Sequence, residues 1–123
     1  MGRILIIENS IFMKGSLKFL LEQAGHVVVG VAINQEEALR MQSQYYPEVT
    51  TCDLLMRGED GMPIVKALLE KYPKCKVVAV WVSGLESKIE EAKLIGVVGV
   101  LEKPYKFEDL TKEIERVLEL RLI

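Results

Sequence analysis

An α/β fold built on a doubly wound parallel sheet is the architecture this sequence predicts, and three observations carry the expectation. Short, uninterrupted apolar runs rich in β-branched residues recur at Ile4–Ile7, Val27–Ala32, Val77–Val82 and Val97–Leu101. Strands buried on both faces read this way, because helices cover each side of a parallel sheet. Amphipathic stretches of helical period alternate with those runs, and glycine or proline marks the boundaries.

Taken in order, Ile4–Ile7 predicts strand β1, and Met13, Leu17, Leu20, Leu21 and Ala24 predict helix α1, ended by Gly25. Val27–Ala32 predicts β2. Asn34, two residues before Glu36-Glu37, is a cap with acids in the first turn of α2, which Pro47 stops. Val49–Cys52 is a weaker but well-placed β3. Val65, Leu68, Leu69 and Tyr72 predict α3, closed by Tyr72-Pro73, and Val77–Val82 predicts β4. Helix α4, Glu86–Ile95, has only Ile89, Ala92 and Ile95 to turn inward, so it is expected to be the least firmly packed. Val97–Leu101 predicts β5, and Phe107, Leu110, Ile114, Val117 and Leu118 form the cleanest stripe, α5. Five strand–helix units joined by right-handed crossovers give a three-layer sandwich.

Composition narrows the function. The 123 residues fit one domain, 1–123, with 50% apolar and 28% charged residues, the balance of a soluble globular chain. Sixteen basic against eighteen acidic residues leave a net charge of −2, which argues against direct nucleic-acid binding. No apolar run approaches the ~20 residues of a membrane span, and the start is unlike a secretory signal, so a cytoplasmic location is the default. Cys52 and Cys75 form no CxxC pair, which argues against a zinc site or disulfide scaffold. Cys52 reads as a small buried strand residue and Cys75 as exposed. His26, the single histidine, reads as a surface turn residue and leaves no material for a Ser–His–Asp triad.

In open α/β sheets ligands bind at the carboxyl ends of the strands, near the point where strand order reverses. That rule selects Glu8 and Asn9 after β1, Asp53 after β3, Trp81, Val82 and Ser83 at the end of β4, and Lys103 after β5. The chain has three aspartates, Asp53, Asp60 and Asp109, and one of them stands at such a strand end. A short carboxylate held there suits a nucleophile or a hard-metal ligand. It equally suits a loop cap beside a Glu8–Lys103 rim ion pair, and the residues alone leave both readings open.

A resemblance goes further. Ile4–Ile7 before an acidic position, Pro47-Glu48-Val49 before Asp53, then Asp60-Gly61, Gly96, Gly99 and Lys103-Pro104-Tyr105 follow one another in order across essentially the whole chain. The pattern resembles the receiver domain, the CheY-like module of response regulators in two-component signal transduction. The resemblance implies strand order 2-1-3-4-5 and a phosphorelay role. Asp53 would accept a phosphoryl group from a sensor histidine kinase, a phosphotransfer protein or acetyl phosphate. Mg²⁺ would be held by Asp53, by the pair after β1 and by the Leu55 carbonyl. Lys103, next to a cis Lys103-Pro104 bond, would hold a phosphoryl oxygen. A downstream protein target would read the α4-β5-α5 surface, with the chain a monomer or a dimer through that surface.

Departures from the family pattern bear on each part. Two aspartates usually follow β1, where this chain has Glu8-Asn9. Asn9 offers a neutral oxygen and Glu8 is one methylene longer, so Mg²⁺ binding is expected to be weak. Trp81 occupies the usual Ser/Thr switch position and Val100 the usual Tyr/Phe position, so both members of the switch pair are missing; Ser83 is the nearest substitute hydroxyl. Arg57 replaces a common proline and either places a cation at the site or points to solvent. The leading expectation is a phosphorylation-competent receiver, with a phosphorylation-independent docking module as the alternative. Catalysis extends at most to phosphorylation and dephosphorylation of Asp53. The stretch Glu8–Phe12 is not a flavodoxin phosphate loop, and nucleotide-binding glycine motifs are absent. No DNA-binding helices are expected after α5, so the effector is expected to be another protein.

Overall fold

The β-branched runs become five strands in a computed structural model, which describes residues 1–121. They are β1 Arg3–Ile7, β2 Val27–Ala32, β3 Val49–Asp53, β4 Val77–Val82 and β5 Gly99–Lys103. The helices are α1 Ile11–Gln23, α2 Gln35–Tyr45, α3 Met62–Lys71, α4 Glu86–Ile95 and α5 Phe107–Glu119. All strand pairs are parallel and the order is β2-β1-β3-β4-β5. The order reverses between β1 and β3, so their carboxyl ends flank the crevice where such sheets bind ligands.

Alternation along each strand sends side chains to two cores. Ile4 and Ile6 of β1, Val49 of β3, and Val78 and Val80 of β4 meet Leu17 and Leu21 of α1 and Leu110, Ile114 and Val117 of α5. On the other face Ile7, Cys52, Val77 and Ala79 meet Ala38 of α2, the α3 residues Ile64, Val65 and Leu68, and Ile89 and Ala92 of α4. A sheet covered on both faces is what the continuous apolar runs demanded. Helix α5 also closes the free edge of the sheet: Glu113 accepts the Val100 N–H at 2.8 Å and Arg116 donates to the Val98 carbonyl at 2.7 Å.

Several expectations need correction. Strands β3 and β5 run on to Asp53 and Lys103, because Asp53 still pairs with Val80 and Lys103 with Val82. Side-chain polarity marks the rim of the core, whereas the backbone ladder is indifferent to it. Ile95 is 36% exposed, so α4 buries only Ile89 and Ala92. Phe107 also stays exposed at the first position of α5. His26 is buried rather than on the surface: its Nδ1 accepts the Gly2 N–H at 3.0 Å, and burial holds its pKa below the ordinary value. Cys75 is half-buried against the α2–α3 core, and burial pushes its thiol up to about 11. Cys52 is buried as expected, its thiol raised by burial. The Asn34 cap is present, its Oδ1 accepting the Glu37 N–H at 2.9 Å. Among the described residues no helix is long and apolar enough to cross a membrane.

Candidate functional site

Asp53 ends β3 and Glu8 follows β1, so neighbouring strands place two carboxyl groups side by side at the crevice. Both residues are buried, Glu8 at 4% exposure and Asp53 at 3%. Asp53 Oδ2 lies 2.5 Å from Lys103 Nζ, which reaches over from the end of β5, and Asp53 Oδ1 accepts the Leu55 N–H at 2.9 Å. The middle strand and the last strand therefore converge on one ion pair, in which Lys103 meets Asp53 rather than Glu8, while Asp53 also caps the loop that follows it. The Lys103-Pro104 bond is cis. Tyr105 packs close by, and burial with the Asp53 and Glu8 charges raises its phenol above the ordinary value.

Glu8 carries the largest electrostatic displacement in the cup. Its Oε2 accepts the Asn9 and Ser10 N–H groups at 3.0 and 3.1 Å. Burial above all, and then a hydrogen bond with the Asp53 carboxyl, raise its pKa to about 7, against the lowering effect of the Ser10 N–H. The Lys103 ammonium beside Asp53 works against this rise without cancelling it.

Asn9 goes elsewhere. Its Oδ1 accepts the Arg57 N–H at 2.8 Å and its Nδ2 donates to the Arg57 carbonyl at 2.9 Å. Both ends of the amide thus clamp the backbone of an unforeseen hairpin, in which Leu55–Met56 pairs antiparallel with Glu59–Asp60. The turn between them is Arg57-Gly58, with Gly58 at φ 67°, a conformation glycine adopts at little cost. The Arg57 side chain is exposed. Asp60 accepts the Met62 N–H at 2.9 Å and pairs with Lys88 of α4 at 2.5 Å, an ion pair that spacing along the chain does not suggest. These contacts hold its carboxyl below the usual range.

Trp81, half-buried at the penultimate position of β4, and Val100 line an open recess of about 690 Å³ together with Lys103, Tyr105, Lys112 and Glu113. Trp81 Nε1 is buried with no acceptor among the described residues. Ser83 is exposed in the turn that follows β4, two residues past Trp81.

The set that converges is thus Asp53, Glu8 and Lys103, at the strand ends of a five-stranded parallel sheet. The family model for the response regulator receiver domain matches residues 4–115. The chain belongs to this family. The receiver is 26% identical over 115 residues to the chemotaxis protein CheY of Thermotoga maritima, an alignment spanning 94% of this chain and 96% of that protein. It is 36% identical over 104 residues to protein-glutamate methylesterase/protein-glutamine glutaminase 5 of Myxococcus xanthus, covering 83% of this chain and 30% of that protein. Among solved structures it superposes on the response regulator receiver domain protein from Clostridium thermocellum with a TM-score of 0.86 at 26% identity, covering 96% of this chain and 94% of that one. The receiver is therefore a two-component response-regulator module on a five-stranded sheet of order 2-1-3-4-5.

Proposed function

We propose that this receiver accepts a phosphoryl group on Asp53 from a sensor histidine kinase, a phosphotransfer protein or acetyl phosphate. The observation that carries the reading is the 2.5 Å contact between Asp53 Oδ2 and Lys103 Nζ inside a two-carboxyl cup. In the reaction an Asp53 oxygen forms a bond to phosphorus as the donor's P–N or P–O bond breaks, and the leaving atom keeps the electron pair. Lys103 is placed to donate to a phosphoryl oxygen as charge shifts there, so catalysis is positioning plus electrostatics.

A hard divalent ion such as Mg²⁺ suits two buried carboxyl groups set side by side at neighbouring strand ends. Asp53, Glu8 and the Leu55 carbonyl would hold it, whereas the Asn9 oxygen is engaged with Arg57. Charge neutralisation between the carboxylate and the phosphoryl oxygens is the chemistry such an ion supplies when bound.

Beside the cup, Phe12 and Met13 of α1 face Pro104 and Tyr105 across an apolar groove, and Ile11 and Phe12 are about four-fifths exposed. This is the surface for a phosphodonor protein. Phe12→Ala is expected to slow phosphotransfer from a protein donor about tenfold and leave the acetyl phosphate rate unchanged; equal slowing of both would place Phe12 in the chemistry instead. Output runs through the α4-β5-α5 face, where added charge at Asp53 draws on Lys103 and so on the recess walled by Trp81 and Val100.

Intact mass after acetyl phosphate treatment tests the reading directly. Wild type is expected to gain one phosphoryl group and Asp53→Asn none, with beryllofluoride changing the fluorescence of Trp81. The Asn9–Arg57 clamp and the missing hydroxyl at Trp81 favour a second reading, a docking module that works without phosphate. Absence of any Asp53-dependent adduct would leave that module standing.

A further inference from the structure

The end of the molecule opposite Asp53 carries a feature that phosphoryl chemistry does not use. Two Tyr-Pro pairs, Tyr46-Pro47 after α2 and Tyr72-Pro73 after α3, line a shallow notch of about 480 Å³ with Gln42, Lys71, Lys74 and Cys75. Gln42, buried and bonded through Oε1 to Thr50 Oγ1, forms part of its floor. Lys71 lies over the Tyr72 ring at 5.6 Å, and Lys71 and Lys74 are exposed. Among the described residues no carboxylate lines the notch, in a chain whose net charge is −2.

Tyr46 adds an independent observation. It caps α2 at φ 48°, ψ 58°, the left-handed conformation that favours glycine or asparagine, yet it carries a ring that is 77% exposed. Arg3 donates to the Tyr45 and Tyr46 carbonyls, which satisfies the helix end whatever side chain stands at 46. The turn therefore needs no tyrosine, and the exposed ring gains nothing from the core. An unfavourable conformation that presents an aromatic ring to solvent points to a role outside the fold.

We propose that this notch docks an extended, acidic segment of a partner protein, with a proline or aromatic side chain seated between Tyr46 and Tyr72 and its carboxylates facing Lys71 and Lys74. Aromatic walls suit proline-rich extended backbone, and the unopposed cations select for acidic flanks. The site is independent of the phosphoacceptor cup.

The test uses the full chain and two synthetic decapeptides, one alternating glutamate and proline around a central phenylalanine, the other with lysine for every glutamate. The acidic peptide is expected to shift the amide resonances of Tyr46, Lys71, Tyr72 and Lys74 and to shield Cys75 from a maleimide, Cys52 being fully buried. Lys71→Glu with Lys74→Glu is expected to weaken binding at least about tenfold, and Asp53→Asn to leave it unchanged. Tyr46→Gly is expected to weaken binding while raising the melting temperature by about 3–5 °C. Equal binding of the basic peptide, shifts confined to other surfaces, or no shifts at millimolar acidic peptide would overturn the assignment. A lower melting temperature for Tyr46→Gly would do so too, by making the ring structural.

Discussion

Gly61→Ala is expected to destabilise the receiver by more than about 3 kcal/mol and to abolish phosphorylation of whatever remains folded. A Cβ at Gly61 would stand 2.0 Å from the Asp53 carbonyl oxygen, 2.9 Å from its carbonyl carbon and 3.1 Å from Leu54 Cα. All three are backbone atoms, so no rotamer change relieves the overlap. The backbone there is ordinary, φ −79° and ψ −14°, so close approach rather than torsion requires glycine. The Gly61 N–H donates to the Leu54 carbonyl at 3.1 Å, drawing the chain back onto the end of β3. Any retreat that makes room for the methyl group moves the peptide that carries the Asp53 carboxylate. Gly15→Ala on the open face of α1, where a Cβ meets nothing within 4 Å, is the control and is expected to stabilise by about 0.5–1 kcal/mol. Urea denaturation of the two variants decides the matter, and a Gly61→Ala midpoint equal to wild type would refute the close approach.

The second large effect is electrostatic and belongs to Glu8. Its pKa is raised from 4.5 to about 7, so the folded state holds this proton more tightly than the unfolded state does. The resulting stabilisation is complete below about pH 4.5 and is lost as pH climbs toward 7. One pKa unit corresponds to about 1.4 kcal/mol, so the loss between pH 5 and pH 8 amounts to about 2–3 kcal/mol. Glu8→Gln keeps the shape but cannot ionise. Its stability relative to wild type is expected to rise by that amount over the same interval, as read from parallel urea curves. Millimolar Mg²⁺ at pH 8 is expected to recover part of the loss in wild type and none in the variant, since ion and proton compete for the same carboxyl. A pH-independent difference between the two proteins would show that Glu8 is not held protonated by Asp53.

The architecture was legible because it depends on pattern. Runs such as Val77–Val82 can be buried on both sides only inside a covered parallel sheet, and the α5 stripe admits one packing face. Asp53 and Lys103 could be picked out because strand ends in such sheets are where sites form. Asn9 was the site residue hardest to read. The resemblance places it in a metal-binding pair, but a neutral amide near a free backbone edge pairs with that edge, and the edge belongs to a hairpin 48 residues further on. His26 misled for a related reason: a turn residue becomes buried when the chain leading into β1 lies across it, as Gly2 does here.

Local sequence by itself determined the five helices, the five strands of the parallel sheet and most of the faces they bury, since these follow from apolar period and from caps a few residues away. Only the tertiary structure decided that Lys103 pairs with Asp53 rather than Glu8, that burial raises the Glu8 pKa and that Asn9 holds a hairpin. Each of these is set by distances between strands that the sheet brings together, and by the loss of water that follows when it does.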